Sequence, residues 1–450
     1  MATISHIGGV LTFDQAYETV LTYCRSTPAP PSRTVKLERA LGRVLAETIL
    51  ADRDFPPFHR STRDGYALRS ADLATLPAML RKTGQIKAGG KFTGTVSSGE
   101  AVEIMTGAAV PAGADAVVMV EYTAQKNGAA KVEVQVEVQR AVVAGENVVA
   151  AGAEARAGDK LLPKGMRLGP AQIAMAAAVG KATLKVSRKP RVAILATGDE
   201  LVEVAETPGP HQIRNSNTYS LAAQVEACGG SPILMPIAPD EELKLAALIQ
   251  AGLGSADLLL MSGGVSMGKF DLVEKVLTEM AAEFFFTGAL IQPGKPVVFG
   301  QVLSNLAAQA NFANQTDGST PKRSKAARKR KTVFKQRLPT PFFGLPGNPV
   351  SVMTTFDLFV RPVIEALGGC VPSRLPAAKA RLRTPVKAKT GLTRFLPAIL
   401  HGDLKDPHVE AVPWQGSGDV LASSRANCYL VIPPDRDQIP ADEMVTVLMR

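Results

Sequence analysis

The chain has 450 residues, of which 46% are hydrophobic and 20% are charged, a balance typical of globular proteins. This composition excludes a collagen-like, wholly disordered or disulfide-rich chain, and the length predicts about two to four domains. The net charge of +10 comes from one segment, because nine basic and no acidic residues lie between Lys322 and Arg337. The remaining 42 basic and 41 acidic residues give no support to nucleic-acid binding by the chain as a whole.

The first half of the chain predicts helices around a small β domain. Thr12 is a good N-cap for an amphipathic first helix. Residues 81–149 are rich in glycine and in short β-like runs, among them the strictly alternating KVEVQVEV at 131–138. The predicted helices lie at residues 12–25, 37–45 and 168–180.

From residue 190 onward, short apolar strands alternate with helices. This alternation predicts a parallel sheet with helices on both faces and functional loops at the carboxyl ends of its strands. A polar, basic segment at about 304–340 interrupts this region, and residues 378–450 predict a small β domain. The predicted strands lie at 191–196, 232–237, 257–261, 283–286 and 296–299, and the predicted helices at 217–227, 240–250 and 271–281.

The sequence carries no sign of export, membrane insertion or a zinc site. The N-terminus lacks a basic start followed by an apolar core, and no apolar stretch reaches the roughly 20 residues that span a bilayer. The cysteines form no CxxC pair, so reduced thiols are expected. We therefore expect a cytoplasmic protein without membrane contact. The four cysteines are Cys24, Cys228, Cys370 and Cys428.

Three loops of the α/β region have residues suited to anion binding. They lie at 197–200, 262–268 and 344–349, and each can present backbone N–H groups to an anion. Gly263 and Gly264 lack the Cβ atoms that would block close approach of a ligand to the backbone. Each loop alone could be a simple strand-to-helix turn, but the occurrence of several at one edge favours a binding site.

Charged side chains accompany these loops. Lys295 lies between two prolines, which hold its ammonium group in place for a phosphate or an oxyanion. Glu200, Asp240 and Asp271 are expected at the same edge, and carboxylates beside a phosphate site are typical of Mg²⁺ binding. Asp240 and Asp271 are equally suited to helix capping. The set predicts a phosphate-containing ligand, a divalent ion and an anionic second substrate.

Seven motifs occur along the chain in one order. Together they resemble the molybdopterin molybdenumtransferases, the molybdenum insertases of cofactor biosynthesis, a family that includes the C-terminal domain of gephyrin. The resemblance covers nearly the whole chain except the basic segment. The motifs are DFPPF at 54–58, RDGYA at 63–67, IMTGA at 104–108, TGDEL at 197–201, SGGVS at 262–266, PGKP at 293–296 and GLPGNP at 344–349.

The resemblance implies a fold of α/β plus β class. It implies an elongated, multidomain subunit with a three-layer α/β molybdopterin-binding domain, a β-rich N-terminal domain and a small C-terminal β domain, assembled as a homodimer. The boundaries we predict are 1–28 for an N-terminal helix on the α/β domain, 29–52 with 151–185 for a linker and helical domain, 53–150 for the β-rich domain, 186–374 for the α/β domain and 375–450 for the C-terminal domain.

The resemblance also implies an activity and its residues. Such enzymes use Mg²⁺, take adenylylated molybdopterin and molybdate, release AMP and place molybdenum between two dithiolene sulfurs. Asp64 and Thr106 would close the site across the dimer, and molybdopterin adenylyltransferase and molybdoenzymes would be partners. We assign catalysis to Asp64, Thr106, Glu200, Asp240 and Asp271, substrate binding to Gly263, Gly264, Ser266, Lys295, Pro346, Pro349 and Ser417, and metal binding to Glu200 and Asp271.

The chain departs from the family pattern at a few positions. Gln292 stands where a lysine is common, which removes one positive charge from the anion site, and Glu154 replaces an aspartate. The basic segment is extra, and it is consistent with a solvated loop, with a loop that draws anions to the site entrance, or with nucleic-acid binding.

Three other functions compete with the insertase hypothesis. A molybdopterin adenylyltransferase would share only residues 190–369, a gephyrin-like scaffold would bind partners without catalysis, and a nucleic-acid adaptor would depend on the basic segment alone. The full set of carboxylates favours an enzyme.

Overall fold

The computed structural model describes residues 9–127, 134–264, 272–303, 339–402 and 405–450. The chain forms two compact units. The large unit comprises the described parts of residues 1–33, 42–46 and 185–450, and the small unit comprises those of 34–41 and 47–184. No helix in these described ranges is long and apolar enough to cross a membrane.

The first helix begins as the sequence predicts. The Thr12 hydroxyl accepts from the Gln15 N–H at 3.3 Å, and the Gln15 side chain accepts from the Thr12 N–H at 3.0 Å, which completes a capping box. The described helices are α1 (Phe13–Ser26), α2 (Pro170–Ala178), α3 (Asn217–Ala227), α4 (Glu242–Ser255), α5 (Leu272–Glu279), α6 (Pro349–Thr355), α7 (Arg361–Leu367) and α8 (Val420–Arg425).

The prediction of a helix at 37–45 is wrong. Only a short 3₁₀ turn, Leu37–Arg39, forms there. The N–H groups of Leu37 and Ala46 donate to the distant carbonyl groups of Ala182 and Lys185. Pairing with residues far along the chain therefore prevails over the local helix preference.

The small unit contains a six-stranded sheet with apolar residues on both faces. Its strand order is β8-β5-β7-β6-β10-β9, and only β6 and β7 run parallel to each other. Tyr66 packs into one core cluster, while its neighbour Ala67 packs into another. The first strands of the chain are β1 (Val10–Leu11), β2 (Ser32–Lys36), β3 (Ile49–Leu50), β4 (Arg60–Ser61), β5 (Gly65–Leu68), β6 (Ala78–Ile86), β7 (Glu100–Ile104), β8 (Ala116–Met119), β9 (Thr123–Asn127), β10 (Val134–Val138), β11 (Val148–Val149) and β12 (Lys160–Leu162).

The large unit contains the α/β sheet, with strand order β17-β14-β18-β23-β22-β19. The first four of these strands run parallel, as predicted. The strands of this region are β13 (Thr183–Ser187), β14 (Arg191–Ala196), β15 (Leu201–Val202), β16 (Ile213–Arg214), β17 (Ser231–Leu234), β18 (Leu258–Ser262), β19 (Ala282–Phe286), β20 (Gly288–Ala289), β21 (Ile291–Gln292), β22 (Val298–Val302) and β23 (Thr340–Leu345).

The parallel prediction is wrong for β22. This strand runs antiparallel to both of its neighbours, β19 and β23. No helix lies between Phe286 and Val298, and a strand needs a long crossover connection, usually helical, to enter a sheet parallel to the one before it. The chain therefore reverses direction instead.

Helices cover both faces of this sheet. Ile194, Leu260 and Phe343 belong to a core cluster that includes residues of α1, α3 and α7. Leu195 and Leu259 belong to a second cluster, with residues of α4 and α5. Because successive strand residues point to opposite faces, this alternation produces the three-layer arrangement that the resemblance implies.

The C-terminal strands close into a five-stranded barrel. Strand β26 pairs with both β27 and β28, which closes the ring β26-β27-β24-β30-β28. Strand β21 of the preceding region adds to the outside of β26. The remaining strands are β24 (Ala377–Leu382), β25 (Val386–Lys387), β26 (Thr393–His401), β27 (His408–Ala411), β28 (Cys428–Ile432), β29 (Gln438–Ile439) and β30 (Met444–Met449).

The basic segment leaves the sheet at the edge opposite to the candidate site loops. Residues 304–338 lie outside the described part of the chain, but the strands on either side of them are described. Val302, at the end of β22, pairs with Thr340, the first residue of β23, whereas Val298 pairs with Gly344 near the carboxyl end of β23. The three alternatives for the basic segment stay predictions.

Gly300 offers a test of the close packing in this sheet. An added methyl group would clash with the Glu283 carbonyl oxygen and lie 2.6 Å from the Phe342 ring. We expect Gly300→Ala to lower the free energy of unfolding by about 1–3 kcal/mol, since a packed core has no room for it. Denaturant unfolding measures this change.

Gly254→Ala is the matched control, because its methyl group meets no atom within 4 Å and lies in helix α4. Its stability should stay equal or rise. Equal stabilities of the two variants would contradict the packing argument.

Candidate functional site

Three adjacent parallel strands place their following loops side by side. Strand β18 lies between β14 and β23, and all three end at the same edge. The Thr197 N–H donates to the Ser262 oxygen at 3.0 Å, and the Gly263 N–H donates to the Leu345 oxygen at 3.2 Å. The structure thus brings together the described parts of loops 197–200, 262–268 and 344–349.

The middle loop can turn here only because it has glycines. Gly263 and Gly264 have φ angles of +91° and +66°, in the left-handed region that favours glycine. A methyl group at Gly263 would lie 2.6 Å from the Thr197 oxygen. One at Gly264 would lie 2.7 Å from Val273 and 2.9 Å from the Thr197 hydroxyl. The backbone of this loop is therefore packed directly on its neighbours.

Acidic side chains gather at the β14 end of the edge. The Glu200 carboxylate folds over Gly198, whose missing Cβ leaves room for it. The Asp199 carboxylate accepts from the Asp240 N–H at 3.1 Å. Burial raises the pKa of Asp240, and the negative charges of Asp199 and Glu200 raise it further.

Asp240 is not the N-cap of helix α4. Glu241 holds that position, and its side chain makes no capping hydrogen bond. The capping alternative for Asp240 is therefore wrong. The described ranges contain no group of three or more histidines, cysteines, aspartates or glutamates placed to hold a metal ion.

Lys295 reaches the same edge from the other side. The preceding Gly294, at φ +102°, packs so closely on Thr355 of α6 that an added methyl group would clash with it. The same added methyl group would lie 3.5 Å from the Ser351 oxygen, so the backbone before Lys295 packs along the helix that follows loop 344–349. Lys295 is half-buried and makes no ion pair with any described carboxylate. Its positive charge is thus available to an anion.

The C-terminal barrel region contributes a loop to this edge. Ser417 Oγ accepts from Asn348 Nδ2 at 2.8 Å, and its carbonyl oxygen accepts from the Val350 N–H at 2.9 Å. Pro349 is the first residue of α6, and Pro346 is buried in the loop before it. The structure therefore brings Ser417, Pro346 and Pro349 together.

Four predicted site residues are not placed at this edge by the structure. Ser266 and Asp271 lie outside the described residues. Asp64 and Thr106 belong to the small unit, where the Thr106 N–H and hydroxyl donate to Asp64 Oδ1 at 2.6 and 2.8 Å. These two hydrogen bonds lower the pKa of Asp64.

Sequence reasoning missed Asn217. Its Nδ2 atom contacts both Ser262 and Gly347. Asn217 is the first residue of helix α3, and asparagine is common at helix starts. Its residue type and spacing therefore gave no indication that its side chain bonds two loops.

Comparison with known proteins accounts for these features together. The "MoeA N-terminal region (domain I and II)" family matches residues 11–180, the "Probable molybdopterin binding domain" family 193–366, and the "MoeA C-terminal region (domain IV)" family 379–449. A molybdopterin molybdenumtransferase from Nostoc sp. is 34% identical over 92% of this chain and 88% of its own length. The chain belongs to the molybdopterin molybdenumtransferase family.

Other molybdopterin molybdenumtransferases and solved structures agree with this assignment. The Bacillus subtilis molybdopterin molybdenumtransferase is 30% identical over 96% of this chain and 93% of its own. A structure of the molybdopterin biosynthesis MoeA protein from Pyrococcus horikoshii covers 98% of this chain and 99% of that chain, with 31% identity and a TM-score of 0.67. A structure titled molybdopterin biosynthesis MoeA protein from Pyrococcus horikoshii OT3 covers 98% of this chain and 100% of that chain, with 26% identity and a TM-score of 0.73.

The acidic group offers a test by titration. We expect Asp199→Asn to lower the pKa of Asp240, because it removes a nearby negative charge yet keeps an oxygen that can accept from the Asp240 N–H. A raised pKa means that the protonated form of Asp240 is favoured in the folded state, so the stability it contributes is fully present below the ordinary pKa and is lost as pH rises through the raised pKa. The Asp199→Asn variant should therefore show a smaller fall in folding stability over this pH range.

Carbon-detected NMR titration of the Asp240 carboxyl group measures this shift. Glu203→Gln is the control, since Glu203 is not among the groups that shift Asp240. A pKa of Asp240 that is the same in Asp199→Asn and the parent protein would contradict the electrostatic explanation.

Proposed function

We propose that this protein is a molybdenum insertase. It takes adenylylated molybdopterin and molybdate, hydrolyses the phosphoanhydride, releases AMP and leaves molybdenum on the dithiolene. Family membership supports the reaction. The observation that carries the proposal is one sheet edge that offers a glycine backbone, an available lysine charge and a group of carboxylates.

The anion-binding side of this edge receives the two anionic groups in our proposal. The loop at Gly263 and Gly264, which packs on Thr197 and Val273, forms one wall of the proposed phosphate site, and the Lys295 ammonium group neutralises charge on phosphate or molybdate. Ser266, Pro346, Pro349 and Ser417 complete the proposed substrate-binding set. The close packing of Gly294 on Thr355 supports a fixed position for Lys295.

The carboxylate side prepares water for attack on the phosphoanhydride. Asp240 is a stronger base than an ordinary aspartate because its pKa is raised, so we assign it to the proton of the attacking water. Glu200 and Asp271 complete the proposed catalytic group. The bond from phosphorus to the leaving oxygen breaks as water attacks, and AMP departs.

Mg²⁺ is the proposed cofactor, with Glu200 and Asp271 as its protein ligands. Burial is the main cause of the raised pKa of Asp240, and the negative charges of Asp199 and Glu200 raise it further, so the proposed ligand Glu200 belongs to a group of neighbouring carboxylates. Mg²⁺ usually keeps several waters and takes one or two carboxylates with substrate phosphates, so it needs no cluster of three protein ligands. When bound, it would neutralise charge developing on the leaving phosphate.

We propose further that the enzyme is a cytoplasmic homodimer in which Asp64 and Thr106 of one subunit complete the site of the other. The two hydrogen bonds from Thr106 keep Asp64 ionised and oriented, which suits such a role. Molybdopterin adenylyltransferase and molybdoenzymes are the proposed protein partners. The five-part division at residues 28, 52, 150, 185 and 374 stays a prediction.

The alternatives have less support. An adenylyltransferase would account for the α/β region alone, whereas family matches extend over residues 11–180 and 379–449. A scaffold would not need Glu200, Asp240 and Lys295 at one edge. A nucleic-acid adaptor would depend on a segment outside the described residues.

AMP release is the direct test of the proposed function. Purified protein given adenylylated molybdopterin and Mg²⁺ should release AMP in a molybdate-dependent manner, and its product should activate a cofactor-free molybdoenzyme. Chromatographic measurement of AMP, with and without molybdate, checks this. Binding of the substrate without AMP release would instead indicate a scaffold or carrier.

Lys295→Met tests the anion site. We expect the KM for adenylylated molybdopterin or molybdate to rise by about 10- to 100-fold, because a charge-assisted contact is lost while the chain length is kept. Steady-state kinetics measure the effect. Lys244→Met is the control, since Lys244 is exposed and pairs with Glu241. Equal KM values in both variants would remove Lys295 from the site.

A further inference from the structure

Asn217 joins two of the three loops at the carboxyl edge. Its Nδ2 atom donates to Ser262 Oγ at 2.9 Å and to the Gly347 carbonyl oxygen at 2.7 Å. A carbonyl oxygen can only accept, so the Gly347 contact fixes which end of the side-chain amide carries the nitrogen. Both N–H bonds of this amide are therefore used to hold the loops.

The position of Asn217 is set by its helix rather than by either loop. Leu221 and Val225 of α3 are fully buried in the core. Gln224 of the same helix donates to the Met353 oxygen at 3.1 Å and to the Asp357 carboxylate at 2.8 Å. Helix α3 therefore holds Asn217 in place independently of the loops it joins.

The hydrogen bond from Asn217 to Gly347 lies further from the strand ends than the backbone hydrogen bond that joins the same two loops. The Gly263 N–H bonds the Leu345 oxygen at 3.2 Å, directly at the strand ends. Gly347, two residues further on, approaches the Gly263 Cα closely enough that an added methyl group would lie 3.8 Å from it. Asn217 acts at this outer position and so sets the spacing between the two loops.

Two polar atoms at the same junction remain unpaired among the described residues. They are Asn217 Oδ1 and Thr197 Oγ1, both fully shielded from solvent. The Thr197 residue is only 4% exposed, and its hydroxyl lies beneath Gly264. Both atoms therefore lie where the loops after β14 and β18 meet the start of α3, at the same junction as the two hydrogen bonds of Asn217.

We propose that Asn217 is a positioning residue that fixes the spacing between the Ser262–Gly264 backbone and Gly347. It acts through the loops on the bound phosphate group, and this role rests on the proposed insertase function. The Ser262 hydroxyl serves as the acceptor of the tie, and Thr197 supports Gly263 and Gly264 from below.

Kinetics of paired variants provide the first test. Asn217→Ala should lower kcat/KM for AMP release by about 10- to 100-fold, because small misplacement of binding groups is costly to rate. Ser262→Ala should cause a smaller loss. The double variant should lose little more than Asn217→Ala alone, since both changes break the same bond.

Asn215→Ala is the matched control for helix stability. The Asn215 side chain is buried and accepts from the Thr218 N–H at 3.2 Å, within the start of α3. This variant should lower Tm but keep most of kcat/KM. If kcat/KM falls equally in Asn215→Ala and Asn217→Ala at the same loss of Tm, the role is merely structural and the proposal is overturned.

Hydrogen exchange tests the tie without turnover. Asn217→Ala should speed amide exchange in peptides covering 259–264 and 344–348, whereas Asn215→Ala should do so only at the start of α3. Unchanged exchange in both loops overturns the proposal. If the parent protein releases no AMP, the proposed function fails, and the exchange result still decides whether Asn217 joins the loops.

Discussion

The adjacency of strands β14, β18 and β23 determines where the candidate site of the large unit lies. These strands are buried on both faces, so their side chains are committed to the two cores. The polar side chains of this candidate site therefore come from the loops where the strands end. Because the three strands are parallel neighbours, their ends coincide, and the loops that follow them must share one small region of surface.

The short distances between these loops explain why glycines occur in the middle one. The Thr197 carbonyl and hydroxyl lie where Cβ atoms of Gly263 and Gly264 would otherwise be. Because the loops lie so close together, side-chain hydrogen bonds can link them. Asn217 donates to the Gly347 oxygen, and Asn348 donates to Ser417 Oγ. Core packing thus supplies the rigidity, while a few hydrogen bonds set the spacing that a ligand would meet.

The sequence was informative where a pattern repeats along one element. Helix α3 begins and ends at the residues predicted, and the Thr12 capping box forms as its residue types indicate. Asn348 holds the N-cap position of α6, as its residue type and the proline after it favour. Its side chain nevertheless bonds Ser417 rather than its own helix, which depends on a loop far along the chain. Residues 37–45 and Asn217 were misjudged or missed for the same reason, since their hydrogen-bond partners are distant.

The direction of β22 has the largest consequence for the site. In a parallel arrangement, the residues before this strand would lie at the amino edge, and Lys295 would be far from the glycine loops. The antiparallel direction brings residues 293–297 to the carboxyl edge and sends the chain after Val302 to the opposite edge. The edge is consequently polarised, with carboxylates near β14 and β17, glycines over β18, and the lysine beside β23. A strand reversal that periodicity alone cannot predict therefore brings the backbone before β22, which carries Lys295, to the same edge of the sheet as the glycine loop.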